Sequence, residues 1–200
     1  MAWIFDGKHF GQYTYEHWYD HEYSALNFEG DFMHKDTIIL LVNYNKSVNQ
    51  LMNDIIKTLS HEEWEKNLGG FFPSVRSLCS HLYIGDFNWL KRFSRLRLFT
   101  SLSNDFFFKN YSFHETIFKN MNDYISLRPD LDNKMISFAE EINDNDMKKM
   151  LKYIDSDGVA QERNFAKCVL QCLNHETHHR GMISLYLEML GYKNDFSFFQ

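Results

Sequence analysis

The stretch NHETHHRG, residues 174–181, holds three histidines: His175, His178 and His179. Imidazole is the commonest metal-binding side chain and is largely neutral near pH 7, so such a cluster is typical of a metal site or of a polar surface. His175 and His179 are four residues apart, and two imidazoles one helical turn apart can bind one ion. His178 projects to another side of the same helix.

The helix that carries this pair is predicted from about Arg163 to Leu190, with Gly191 after its end. Leaving two imidazoles without partners on an apolar face costs on the order of 1 kcal/mol or more each, which favours a role as ligands. The alternative, that His175 and His179 are core histidines without a metal, stays open. The stripe they share also holds Phe165, Cys168, Cys172, Ile183, Tyr186 and Leu190.

A third histidine lies on another predicted helix, Val75 to about Arg95, for which Ser74 is the N-cap. Helical spacing places His81 on its inward face, beside Gly85. His81 would complete a three-histidine set from two helices of a bundle. Three neutral imidazoles leave coordination positions for water or substrate, as in catalytic zinc sites.

The first long helix is predicted over Thr37 to Ser60, and Asn45 interrupts its apolar face. Asn45 could orient a ligand imidazole or a metal-bound water, or it could be a buried amide that bonds neighbouring backbone. Ser60 and Glu63 have the spacing of a capping box, which predicts a short helix through Trp64.

Later elements follow from the same patterns. A third core helix is predicted over Leu131 to Ile142, and a short helix in NDNDMKKML. Asp157 and Gly158 predict a hairpin-like detour before the last helix. Residues 99–128 are rich in aromatics without a clean period, which indicates helical and irregular connection. The fold predicted is all-α, an up-down four-helix bundle.

Composition limits the function. The chain has 200 residues, 44% of them hydrophobic, which is enough for one substantial core. A net charge of −6 argues against nucleic-acid binding, and the basic run LKRFSRLR is interpreted as the solvated face of an amphipathic helix. The lack of a secretory signal and of an apolar run near 18 residues predicts a soluble cytoplasmic protein without a membrane partner.

The cysteines Cys79, Cys168 and Cys172 form no C-x-x-C pair and lie in apolar helical stretches, so we expect reduced, buried thiols. Cys172 precedes His175 by about one turn and could be a soft ligand. A small buried hydrophobic residue is the more common role at such a position.

Three segments, SVRSLCSHLYIGDFNWLKRF, LLVNYNKSVNQLM and LNHETHHRGMISLYLEMLG, resemble the DinB (damage-inducible) family of metal-dependent enzymes, which is related to the bacterial thiol-transferase superfamily. The resemblance covers most of residues 33–192. It implies a four-helix bundle that often forms homodimers, with zinc or nickel commonly bound by His81, His175 and His179. The family's name describes regulation and does not imply DNA binding.

The resemblance divides the chain into an N-terminal extension (1–32), a DinB-like bundle (33–192) and a C-terminal tail (193–200). In the extension, His17 and His21 form another i, i+4 pair flanked by Glu16 and Glu22. They predict either a second metal site or, given the many aromatic neighbours, an arm for packing or dimer contact.

His175, Glu176 and His179 also match the H-E-x-x-H pattern of zinc proteases. We reject this reading because no following element supplies a third ligand and no strand-rich substrate cleft precedes the motif. Glu176 is then expected to be solvated or to support the ligands from outside the coordination sphere, rather than to act as a general base.

Several functions remain open. The first is an enzyme in which the metal activates a low-molecular-weight thiol or water toward a small-molecule substrate, with thiol transfer to an electrophile before hydrolysis. The second is a protein that binds a metal or small ligand without catalysis. The third is a metal-free helical bundle.

Overall fold

The computed structural model describes residues 2–5, 10–13, 33–103, 107, 109–113 and 115–199, the first two ranges as backbone only. The chain divides into two units, Met1–Phe32 and Met33–Gln200. In the first unit, β1 (Ala2–Phe5) and β2 (Phe10–Tyr13) pair in antiparallel fashion, and the sequence did not predict these strands. His17 and His21 lie outside the described residues, so the second metal site and the contact arm stay predictions.

The second unit is mostly helical, which confirms the predicted class. Its bundle is built by four long helices: α1 (Lys35–Ile56), α3 (Val75–Phe93), α4 (Met121–Glu141) and α6 (Phe165–Met189). Shorter elements connect them: α2 (His61–Glu65), α5 (Asp144–Met147), β3 (Met150–Ile154) and β4 (Ala160–Asn164).

Polar side chains begin these helices where the sequence predicts. Ser60 and Glu63 form the expected capping box at α2, because each side chain binds the other's backbone N–H. Ser74 caps α3 in the same way with Ser77. Past the end of α6, Gly191 has a φ of 94°, a left-handed conformation that glycine adopts without strain.

The four long helices pack around one core, with α1 and α3 each between α4 and α6. Contacts along the α3–α6 pair run in opposite directions, from Phe93 against Phe165 to His81 against His179. The two histidine-bearing helices are therefore antiparallel neighbours.

The strict up-down order predicted for the bundle is wrong at the third helix. Along α3 and α4, Asp86 contacts Arg128 and Phe93 contacts Phe138, so both residue numbers rise together and the helices are parallel. The sequence prediction assumed that consecutive helices reverse direction, as short loops require. Residues 94–120 are long enough to return the chain to the end of the bundle where α3 begins.

This connection runs back along α3 and is held by its backbone carbonyls. Asn88 donates to the carbonyl of Tyr111, the Nδ1 atom of His81 lies 3.2 Å from that of Phe113, and Arg76 donates to that of Phe118. The predicted mixture of helical and irregular connection is found in the described residues of the aromatic-rich segment, which include a short helical turn at Thr100–Leu102 and the start of α4 at Met121. Its irregular part lies beside the predicted metal ligand of α3.

The start of α4 differs from the sequence prediction, whereas the hairpin before α6 matches it. Helix α4 begins at Met121, ten residues before the predicted start at Leu131, and contains Pro129. The proline and the polar residues around it hide the helical period in the sequence. Strands β3 and β4 form the hairpin predicted around Asp157 and Gly158, with Gly158 at a φ of 82°.

Within the described residues, every helix is too short or too polar to cross a bilayer.

Candidate metal site

Three imidazoles meet between α3 and α6. Nε2 of His81 lies 3.1 Å from Nε2 of His175 and 3.1 Å from Nε2 of His179. One nitrogen from each ring lies within 4.8 Å of the other two. His81 and His179 are only 9% and 7% exposed, whereas His178 is exposed to solvent. The structure thus brings together the three histidines that the sequence singled out, whereas His178 lies on the exposed side of α6, where its ring contacts only the outer side of the group, 4.8 Å from that of His179 between ring centres.

The separations fit a divalent ion. A histidine nitrogen binds zinc at about 2.0–2.1 Å, so two ligand nitrogens lie about 2.9 Å apart at right angles and about 3.4 Å apart in a tetrahedron. The separations of 3.1 Å between Nε2 atoms lie within this interval. Three ligands leave at least one coordination position for a small molecule.

Hydrogen bonding orients His81 as a ligand. Its Nδ1 atom lies 3.2 Å from the carbonyl oxygen of Phe113, which can only accept, so Nδ1 carries the proton and Nε2 carries the lone pair that faces the other two imidazoles. Without a metal, the Nε2 atoms of His175 and His179 would both have to donate a hydrogen bond to the one lone pair of His81 Nε2. Their Nδ1 atoms are buried and lack a hydrogen bond within the described part of the chain. The donor set therefore favours a shared cation over a metal-free cluster.

The protonation states are those that a metal requires. Burial, and then the charge of neighbouring His81, lower the pKa of His175 to about 4. Burial and the charges of His175 and His81 lower the pKa of His179 to about 2. Both rings are neutral near pH 7, so their nitrogens bind an ion without first releasing a proton.

Gly85 provides the space for one of these rings. A Cβ atom at position 85 would lie 2.7 Å from Cε1 and 3.2 Å from Nδ1 of His175, closer than ordinary contact. The imidazole therefore lies directly against the backbone of α3. The sequence placed Gly85 on the inward face, but it gave no reason for a glycine there.

The loop before α3 covers the site with an aromatic ring. The ring centre of Phe72 lies 4.1 Å from that of His81 and 5.8 Å from that of His179. Tyr186 holds this loop in place, because its hydroxyl donates to the Phe72 carbonyl at 2.8 Å. One side of the histidine cluster is thus apolar.

Glu176 is not solvated, contrary to one of the two expectations. It is 1% exposed, and its carboxylate accepts from Arg128 at 3.0 Å and from Arg180 at 2.7 Å. Burial alone would raise the pKa of Glu176, but the two guanidinium groups hold that pKa at about 2. Guanidinium groups bind both carboxylate oxygens of Glu176, so this carboxylate is a poor general base. This supports the rejection of a zinc-protease mechanism.

The same ion pairs extend through the core. Arg128 also binds Asp86 at 2.6 Å and Asp132 at 2.6 Å, and Asn49 donates to Asp132 at 2.9 Å. Burial and the charge of Glu176 raise the pKa of Asp86 well above its usual range. A protonated Asp86 leaves two carboxylates facing two guanidinium groups, so the buried charges balance. This cluster joins all four long helices.

Asn45 belongs to this cluster. Its Oδ1 atom accepts from Arg180 at 2.6 Å, and the residue is buried. The structure places it on an arginine that binds Glu176, rather than on an imidazole. Within the described residues, this bond links Asn45 to α6 through Arg180, and its predicted role in orienting a ligand stays a prediction.

Cys172 is a buried residue outside the histidine cluster. It is 1% exposed, and burial raises its pKa well above the usual range. A thiol with a raised pKa is a poor nucleophile and a poor ligand at neutral pH. These facts favour the role of a small buried hydrophobic residue.

Two contacts around the site were missed from the sequence. Phe113 lies in a segment without periodicity, so no pattern could place its carbonyl on His81. Glu176 and Arg180 are four residues apart, and this i, i+4 pair was a readable signal of an ion pair along α6.

Comparisons with known proteins identify the family of the chain. The model of the DinB family matches residues 33–196. The chain is similar to "Protein DinB" of Bacillus subtilis (strain 168), with 26% identity over 157 residues that cover 78% of this chain and 88% of the relative. The family match covers the bundle and all three histidines, and the chain therefore belongs to the DinB family.

Proposed function

We propose that this protein is a metal-dependent transferase that joins the sulfur of a low-molecular-weight thiol to a small electrophile. One observation carries the proposal: three imidazoles converge on one point, and the neighbouring acid, Glu176, is fully engaged by Arg128 and Arg180. Zinc or nickel, the metals that the resemblance implies, would be held by His81, His175 and His179. A bound metal of this kind lowers the pKa of a thiol or water that ligates it.

The chain's own residues favour a thiol over water as the nucleophile. Attack by water usually uses a positioned general base, and the carboxylate next to the ligands in sequence is not free. A thiol needs no such base once it is deprotonated. Cys172 is too deeply buried to supply the sulfur itself, so the thiol comes from solution.

The proposed reaction balances without a redox partner. The thiol loses its proton to solvent, its sulfur bonds to a carbon of the electrophile, and the leaving group departs with its electron pair. His81 and its bond to Phe113 keep one ligand fixed, and Phe72 excludes water from one side.

The test compares the zinc-loaded and nickel-loaded parent with the His179→Ala variant, using a panel of small thiols and a chromogenic electrophile. We expect metal-dependent loss of both thiol and electrophile in the parent and in His178→Ala, but not in His179→Ala. Consumption of an ester or amide without any thiol would instead assign a hydrolase. No turnover of either kind, with metal bound, would favour a binding protein.

A further inference from the structure

Arg92 lies on the same face of α3 as the metal-binding histidine. It follows His81 by eleven residues, which is three helical turns and about 20° of rotation. Gly85, beside His175, lies seven residues before it. Long side chains on a helix lean toward its N-terminus, so the Arg92 guanidinium points toward the histidines.

Aromatic rings enclose this guanidinium. Its central carbon lies 4.8 Å from the ring centre of Trp89, 5.5 Å from that of Phe113 and 5.1 Å from that of Tyr153. Ring faces attract the charge, but they do not satisfy the five N–H donors of the group. The run LKRFSRLR was interpreted as a solvated face, whereas Arg92 within it is half-buried.

Arg92 differs from the other arginines that are buried or half-buried. Arg76, Arg97, Arg128 and Arg180 each form an ion pair with a carboxylate. Within the described residues, Arg92 makes neither a hydrogen bond nor an ion pair, and its partners are the three rings. A partly desolvated guanidinium without an acceptor has lost hydration that only a bound anion or water restores.

The negative charge of Asp155 favours the charged form of Arg92, but the carboxylate oxygens of Asp155 accept hydrogen bonds from other groups. Asp155 accepts the backbone N–H groups of Asp157 and Val159 and the side-chain amide of Gln161, so it closes the turn of the β3–β4 hairpin. Cys168 and Cys172, on the facing side of α6, carry thiols whose raised pKa values keep them neutral. Among the described residues, no carboxylate lies within hydrogen-bonding distance of the Arg92 donors, and the nearby thiols are neutral.

Phe113 connects Arg92 to the histidine site. Its ring centre lies 6.1 Å from that of His81 and 5.5 Å from the Arg92 guanidinium carbon, so the two groups are within about 12 Å of each other. A chain of about six bonded atoms is about 6–7 Å long, and a metal–ligand bond of about 2.3 Å at one end with a hydrogen bond of about 2.8 Å at the other lets it span that distance along the aromatic wall.

We propose that Arg92 binds the carboxylate of a small molecule whose opposite end reaches the three-histidine centre, and that this molecule is the thiol co-substrate. The identification as a thiol rests on the function proposed above. The planar guanidinium binds a carboxylate through two parallel hydrogen bonds, which gives direction as well as affinity. Thiols with a terminal carboxylate would then be selected over uncharged thiols of equal length.

The test uses the cobalt-loaded protein, in which a bound thiolate adds a charge-transfer band. The probes are 6-mercaptohexanoate and 6-mercaptohexanol, which have equal length and differ only in the terminal group. We expect the parent to bind the carboxylate roughly 10- to 100-fold more tightly, the range for charge-assisted hydrogen bonds. Arg92→Gln should lose this preference while its affinity for the alcohol is unchanged.

Arg95→Gln is the matched control, because it removes the same charge three residues away at an exposed position. It should keep the preference. A preference that is absent in the parent, or that survives in Arg92→Gln, would overturn the proposal. Unchanged thermal unfolding of Arg92→Gln checks that the hairpin contact with Tyr153 is not the cause.

A second pair of probes separates this site from the thiol reaction. Adipate and 6-hydroxyhexanoate both offer one carboxylate to the cobalt, but only adipate has a second carboxylate for Arg92. Without a thiolate band, an Arg92-dependent preference for adipate would reject thiol transfer and support the carboxylate site. Without either preference, the carboxylate site is wrong.

Discussion

Replacing Gly85 by alanine places one methyl group directly against a metal ligand. The new Cβ would lie 2.7 Å from Cε1 of His175, whereas ordinary contact begins near 3.4 Å. The ring must therefore shift by about 0.7 Å, because the Cβ of an α3 residue is fixed by the backbone. Metal–nitrogen bonds tolerate deviations of only about 0.2 Å.

Affinity for the metal should fall much more than stability. Mutations that misplace a ligand without removing it typically cost about 10- to 100-fold in metal affinity, and we expect at least this loss. Overpacking costs about 1–3 kcal/mol, but alanine gains about 0.5–1 kcal/mol over glycine inside a helix. The free energy of unfolding of the apoprotein should therefore drop by only about 0–2.5 kcal/mol.

The assay is a competition titration of the apoprotein with zinc and a chelator of known affinity, beside urea unfolding of the same samples. Gly181→Ala is the control, because a Cβ at that position of α6 would meet no atom within 4 Å. It should bind zinc like the parent and be slightly more stable. Parent-like zinc affinity in Gly85→Ala would refute the placement of His175 against α3.

Three further predictions concern the surroundings of the site. Glu176→Gln should destabilise the apoprotein by about 3–5 kcal/mol in urea unfolding, because it leaves Arg128 and Arg180 buried without their shared carboxylate; a loss below about 1 kcal/mol would contradict the buried cluster. Asp86→Asn should cost much less stability near pH 7 than Glu176→Gln, since burial and the charge of Glu176 raise the pKa of Asp86 well above its usual range and so favour its neutral form. Because the pKa of Asp86 is raised, the folded parent binds this proton more tightly than the unfolded chain does. The free energy of unfolding of the parent should therefore fall as pH rises above about 4, by up to about 1.4 kcal/mol per pH unit. Asp86→Asn should lack this decline. Tyr186→Phe should lose about 0.5–1.5 kcal/mol with its hydrogen bond to Phe72 but keep stoichiometric zinc, as measured by unfolding and metal analysis.

The sequence predicted the elements whose signals are local. Ser60, Glu63 and Ser74 identify helix starts because capping needs only residues within one turn. Helical period likewise placed His81, His175 and His179 on inward faces. Their meeting between α3 and α6 follows once the two helices are neighbours.

What the sequence could not give depends on contacts between distant segments. The direction of α4 is set by how residues 94–120 pack along α3, and this stretch has no period to read. The carboxylates that bind Arg128 come from three helices. The residues next to Asp86 and Glu176 in the sequence therefore could not show that these two acids are buried. Arg92 was misread for the same reason, because its aromatic neighbours include Phe113 and Tyr153 from other elements.

The metal content of two variants at adjacent positions tests whether His81, His175 and His179 hold one metal ion. The parent, His178→Ala and His179→Ala are purified without an affinity tag, reloaded with zinc and analysed for bound metal after gel filtration. We expect one zinc per chain in the parent and in His178→Ala, and loss of that zinc from a folded His179→Ala protein. Stoichiometric zinc in His179→Ala, or its loss from His178→Ala, would contradict the three-histidine centre.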